Sequence, residues 1–152
     1  MSYARFGWMI LTSTLVMFGL MYLNTYAASH LWFSETRAYM ALVMGASMAV
    51  VMLVFMLKHY PKTRVNLAIL AGAVVAFAGS LWLVRSQSTV EDISWMKAMI
   101  PHHSIAILTS ERASLRDPRV RQLADEIIAT QRREIDQMES LIRDLEEDNG
   151  GR

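Results

Sequence analysis

The sequence predicts an all-α protein: three transmembrane helices, then a helical hairpin outside the cytoplasm that completes a four-helix bundle by self-association. Three observations lead there. The chain has 152 residues, 53% of them hydrophobic, with a net charge of +1, and its apolar residues gather into three long runs before residue 87. Charge then changes character: residues 1–87 carry six Lys or Arg against Glu35 alone, whereas residues 88–152 carry nine basic and thirteen acidic side chains. In that second part the apolar residues recur with helical period. The expected division is a membrane domain at 1–87, a hairpin at 88–148 and a flexible tail at 149–152.

The first span is expected at about 6–28. Phe6 to Leu23 holds no charge, and with the uncharged continuation to Ala28 it can cross about 30 Å of hydrocarbon at 1.5 Å per residue. Arg5 ahead of an apolar run also resembles a signal peptide. The apolar core is long for one, and Ala27 and Ala28 make a poor cleavage site, so a retained helix is expected. Thr12, Ser13 and Thr14 can return their hydroxyls to the helix's own carbonyls.

Asn24 to Arg37 reads as a polar connector, with Ser34 and Glu35 capping the next helix and Tyr26, Trp32 and Tyr39 placed where aromatics meet headgroups. Span two is expected at about 38–57, stopped by Lys58, His59, Tyr60 and Pro61, and span three at about 65–84, anchored by Trp82 and Arg85. Small residues at Ala41, Gly45 and Ala49, and at Ala68, Gly72, Ala76 and Ser80, form two stripes expected to meet. Met40, Met44, Met48, Met52 and Met56 form a ladder along span two, with Met9, Met17 and Met21 on the same spacing in span one. A copper(I) relay is one reading of that ladder, and ordinary helix packing is the other.

Lys58, Lys62 and Arg64 crowd the short connector before span three, and Arg5 falls on the same side. Because Lys and Arg stay in the cytoplasm, the expected location is the inner (cytoplasmic) membrane, with the amino terminus cytoplasmic and the carboxy-terminal domain periplasmic or extracellular.

In the second part, Ser88 and Glu91 form a capping box, so a helix should run from about Thr89 to about Arg116. Asp117 and Pro118 open a second helix that ends near Glu147, before Asn149, Gly150 and Gly151. Pro101 lies inside the first of these helices, where a kink is expected.

Functional chemistry concentrates at Asp92 to His103, DISWMKAMIPHH. Wound at about 100° per residue, Asp92, Met96, Met99 and His103 share one stripe about 60° wide. A seam that only packs would use Leu and Ile. Thioethers beside an imidazole suit a soft metal, copper(I) or silver(I) ahead of zinc. His102 joins if the Pro101 kink turns it inward, and Met138 supplies a sulfur from the second helix. Gln131 and Glu134 interrupt that helix's apolar stripe, and a carboxylate there implies a partner, either a cation such as Lys97 or a metal. The chain has no cysteine, so a soft site must rely on Met and His.

These residues resemble the ferritin-like domain-of-unknown-function family numbered 305. Its hallmark is an Asp and Phe, then Met, Met-Ile-Pro-His-His, and later Gln, Glu-Ile and Met. Here it reads Asp92, Trp95, Met96, Met99, Ile100, Pro101, His102 and His103, then Gln131, Glu134, Ile135 and Met138. The resemblance covers roughly Val90 to Leu145 and implies a ferritin-like helical bundle outside the cytoplasm, with copper binding and resistance in some members. The family often follows the His pair with Gln-Gly and then Ala-Ile-x-Met-Ala. This chain has Ser104 and Ile105, and later Thr109 and Ser110, so one possible thioether is missing.

The expected function is metal binding without catalysis: copper(I) or silver(I) buffering, tolerance or delivery. Expected partners are the lipid bilayer, the metal ion and a second copy of the chain, with no nucleic acid. The alternative is a metal-free structural or pH-sensing module in which His102 and His103 titrate and alter packing. A di-iron oxidase would require Glu-x-x-His on two helices, and that motif does not occur.

Overall fold

The computed structural model describes residues 2–150, which form five α-helices and, among the described residues, no strand. These are α1 (Tyr3–Leu20), α2 (Glu35–Phe55), α3 (Thr63–Ser86), α4 (Asp92–Arg112) and α5 (Pro118–Gly150), with short 3-10 turns at Ala28–His30 and Leu57–His59. The helices α1, α2 and α3 are long and apolar enough to cross a membrane. The chain divides into two compact units. One comprises residues 1–21 and 36–89, and the other residues 22–35 and 90–152.

In the first unit, Phe6, Ala49, Leu53, Tyr60 and Ala73 form the buried cluster, and Met9, Met52 and Met56 pack around it. That is a packing role for three of the methionines on the four-residue spacing. Tyr60 meets Tyr3 at a tilt of 47° and Phe6 edge-on, at centroid separations of 5.0 and 5.5 Å. Asn66 is buried here with both ends of its amide satisfied: it donates to the Tyr60 carbonyl (2.8 Å) and accepts from the Tyr3 hydroxyl (2.9 Å). One polar knot thus joins the starts of α1 and α3.

The small-residue stripes do not meet as expected. Ala41, Gly45 and Ala49 are buried, but the buried positions of α3 are Asn66, Ala73 and Ser80, leaving Ala68, Gly72 and Ala76 exposed. A Cβ added at Gly45 would collide with the Thr14 side chain of α1. Thr14 turns its hydroxyl back to the Ile10 carbonyl (2.8 Å), so the α2 stripe seats on a short, internally satisfied side chain. At the other end of α3, Gln87 adopts φ 53°. Its N–H donates to the Leu83 carbonyl and its amide to the Val84 carbonyl, closing the last turn despite the left-handed backbone.

The second unit is built on the α4–α5 hairpin. Met96, Ile100 and Ile107 from α4 meet Ile135, Met138 and Ile142 from α5. Asp117 starts α5 by accepting from the Arg119 N–H (2.8 Å), ahead of Pro118 in the first turn. The Arg119 guanidinium also holds the Asp117 carboxyl below the usual carboxylate range. The other start signal fails. Helix α4 begins at Asp92, and the Ser88 hydroxyl bonds to Ser86 rather than capping it. It also ends at Arg112, ahead of the expected Arg116, and it continues through Pro101. Helix α5 continues past Glu147 to Gly150. Of the tail expected at 149–152, residues 151 and 152 lie outside the described residues.

The first span is shorter than the expected 6–28, because α1 ends at Leu20 and the segment from Tyr22 belongs to the second unit. Trp32 from this connector packs against the hairpin core, with the Lys97 ammonium 5.3 Å from its ring centroid. Ser94 donates to Glu35 (3.0 Å). The connector therefore covers one side of the hairpin.

Candidate metal site

One cavity of about 310 Å³ lies along the α4–α5 seam, lined by Trp95, Met96, Met99, His103, Glu134, Gln137, Met138 and Leu141. The helical period explains the gathering. Met96, Met99 and His103 lie three and four residues apart on α4, while Glu134 and Met138 are four apart on α5. Met96 and Met138 are buried, and Met99 packs partly buried beside them.

His103 is held tightly. Its Nδ1 lies 2.9 Å from the Met99 carbonyl, which can only accept, so Nδ1 carries the proton. Neutral imidazole then presents a lone pair at Nε2, and Nε2 lies 3.0 Å from Glu134 Oε2. Two acceptors face each other there, so a proton or a cation must stand between them. The His103 side chain is 14% exposed and that of Glu134 43%, which places this contact at the cavity's edge. Gln131 donates to the same carboxylate oxygen at 3.4 Å.

The partner that Glu134 required is thus His103. Lys97 pairs with Glu146 instead, in a part-exposed ion pair worth about 1 kcal/mol or less.

Not every candidate residue joins the cavity. Asp92, the first residue of α4, lines a different depression with Glu91, Ile93, Ser94 and Leu145. His102 is exposed, its ring centroid 6.1 Å from that of His103. Met96, Met99, His103, Glu134 and Met138 are brought together. Among the described residues no three His, Asp or Glu side chains converge as a metal-binding group, so nitrogen and oxygen donors alone do not assemble a centre. The donor-bearing side chains that line the cavity are three thioethers, one imidazole and one carboxylate. This set fits a soft monovalent ion better than zinc, which favours thiolate, imidazole and carboxylate.

A family profile described as "Domain of unknown function (DUF305)" matches residues 85–151, which take in α4, α5 and the whole cavity. An uncharacterized protein of Acanthamoeba polyphaga mimivirus is 35% identical over 106 residues, covering 68% of each chain. The chain belongs to the DUF305 family. The mimivirus alignment is longer than the DUF305 segment, so the likeness reaches into the residues before 85. No solved structure matches the chain.

Within this DUF305 chain, the departure at Ser104 has a structural role that sequence reasoning missed. Ser104 is fully buried, and its Oγ accepts from the Tyr26 N–H (2.7 Å) and contacts His30 Nδ1 (2.9 Å). A hydroxyl at that position docks the connector, and leaving the Tyr26 N–H unpaired would cost about 1–3 kcal/mol. Beside it, Arg132 pairs with Glu111 and stacks on Tyr26, its guanidinium carbon 5.9 Å from the ring centroid. The polar residues Tyr26 and His30 in the connector were the available signal. Only their distant partner was not.

Proposed function

We propose that this chain is a membrane-anchored metal-binding protein that holds copper(I), or silver(I), for buffering, tolerance or delivery, and performs no catalysis. The observation that carries the reading is the seam cavity. Met96, Met99 and Met138 share it with the imidazole of His103, whose Nδ1 is engaged and whose Nε2 faces a carboxylate. The three thioethers would hold the ion with Nε2, the Met99 carbonyl would orient the imidazole through Nδ1, and Glu134, which faces Nε2, would balance the ion's charge. Titration of the purified full chain with copper(I) against a competing chromophoric chelator tests it. Absence of competition at stoichiometric metal would overturn it.

The same His103–Glu134 contact supports a second reading, in which a proton stands between the two side chains and the hairpin responds to pH without metal. Copper(I) dialysis separates the two readings.

The proposed setting is the inner membrane, with the amino terminus in the cytoplasm and the hairpin outside, on the strength of Lys58, Lys62 and Arg64 around the α2–α3 connector. The cysteine-free sequence makes a labelling test direct. In intact cells Lys62→Cys should resist an impermeant thiol reagent and Ser88→Cys should react. The reverse pattern would place the site in the cytoplasm.

A second copy of the chain is proposed to cover the uncovered edge of α5. Ala124, Ile135, Met138 and Ile142 are buried, but Val120, Leu123 and Leu141 remain exposed on the same apolar stripe. Leu123 and Leu141 are eighteen residues apart and point the same way at 3.6 residues per turn. Two hairpins joined along this edge would form a four-helix bundle. Mass measurement in detergent should find dimers or larger species that Leu123→Glu with Leu141→Glu converts to monomers. Monomers alone from the parent chain, with its helicity intact, would exclude the bundle.

A further inference from the structure

Trp95 is half exposed, at 50%, although it lines the same cavity as the three thioethers and His103. Its place follows from helix geometry. It lies one turn before Met99 and two before His103, and about 40° from Met99 around the helix, at the flank rather than the floor of the site. A half-exposed indole contributes little to the core, and Met96, Ile100 and Ile107 already form that core on α4. The two other exposed tryptophans, Trp8 and Trp82, lie on the helices α1 and α3 that are apolar enough for lipid. Trp95 instead lies on a helix with polar flanks. In the second unit Trp32 lies beneath Lys97 and Tyr26 beneath Arg132, whereas among the described residues no side-chain cation engages Trp95.

We propose that Trp95 is a metal-contacting residue, closing the cavity by presenting its indole π face to the soft monovalent cation held by the thioethers and His103. The proposal rests on the copper(I) or silver(I) reading and extends it to the side of the site that the sulfur and nitrogen donors leave open. Two chemical requirements favour indole there. Thioether and imidazole are neutral donors, so a bound monovalent ion has its charge met only by Glu134 at the cavity's edge, and the negative face of an indole is the best aromatic partner for the cation on the other flank. The same ring also displaces water from the mouth, which strengthens every interaction inside. A carboxylate at that position would do neither for a soft ion.

The experiment is a silver(I) titration of the full chain in detergent and chloride-free buffer. Tryptophan emission and competition for copper(I) are read on the parent, Trp95→Phe and Trp95→Leu. The parent emission should be quenched in proportion to bound silver, and Trp95→Leu should abolish that change. Its copper(I) affinity should fall about 2- to 30-fold, the fold equivalent of a cation–π contact, with Trp95→Phe between the two. Parent emission that ignores bound silver would overturn the proposal, and so would Trp95→Leu with unchanged affinity. If Trp95→Leu fails to retain helicity, Trp95→Phe and the parent titration decide alone. A parent that binds neither metal would overturn the metal reading itself, a result distinct from metal binding that is indifferent to Trp95.

Discussion

Replacing Met96 and Met99 together by Leu is expected to weaken copper(I) binding beyond the 10- to 100-fold that loss of a hydrogen-bond partner behind a metal ligand typically costs, while helicity stays unchanged. The design separates two roles of the same atoms. Met96 is 5% exposed and belongs to the hydrophobic core, so its removal could act through packing alone. Leu keeps the apolar volume and loses only the sulfur, and such swaps usually cost less than about 1.5 kcal/mol. His103→Ala should reduce affinity most, because it removes the one nitrogen donor of the cavity and leaves Glu134 with Gln131 alone. Glu134→Gln should do less, since the amide keeps an oxygen acceptor. Binding in the parent should weaken as the pH is lowered, because protons compete for Nε2, the only imidazole nitrogen left to a metal once Nδ1 has donated to Met99. If the double Leu chain binds copper(I) as tightly as the parent, the thioethers belong to the core and not to a site.

Ile100→Ala is expected to destabilise the hairpin by about 2–5 kcal/mol. Ile100 is fully buried, directly before Pro101, in a core with only five other buried members, so neighbouring side chains have little freedom to fill the space. Hydrogen exchange in the full chain localises the effect. Amides of α4 and α5 should lose protection, whereas those of the separate first unit should not. Silver(I) at a hundred times its dissociation constant should then restore about 2.7 kcal/mol, because a ligand that binds only the folded hairpin stabilises it by mass action. Lost protection that silver does not restore would show that the metal does not bind across the α4–α5 seam. Protection unchanged by Ile100→Ala would remove Ile100 from the core that supports the site.

Local patterns in the sequence carried most of the helices. The apolar lengths of α2 and α3, Asp117 with Pro118 ahead of α5, and the spacing of Met96, Met99 and His103 are statements about neighbours within one or two turns, and helix periodicity makes these readable without a fold. The same locality explains why Glu134 and Met138 could be placed on the seam-facing stripe of α5 before any partner was known. Contacts between residues distant in sequence decided the rest. The connector at 22–35 leaves the first span and docks on α4 through Ser104, and no periodic pattern encodes a hydrogen bond between Tyr26 and a serine 78 positions away. Asp92 shares a helical stripe with Met96 yet lines a separate depression with Leu145 beyond the cavity, because α5 passes over the two ends of α4 with different side chains. His102 stays exposed and His103 turns inward, since 100° of rotation separates adjacent residues and α4 has one face on the core. Sequence alone therefore determined which donors share a helix face, while tertiary packing selected the partners they meet, because burial and hydrogen-bond satisfaction depend on what the opposite chain segment presents.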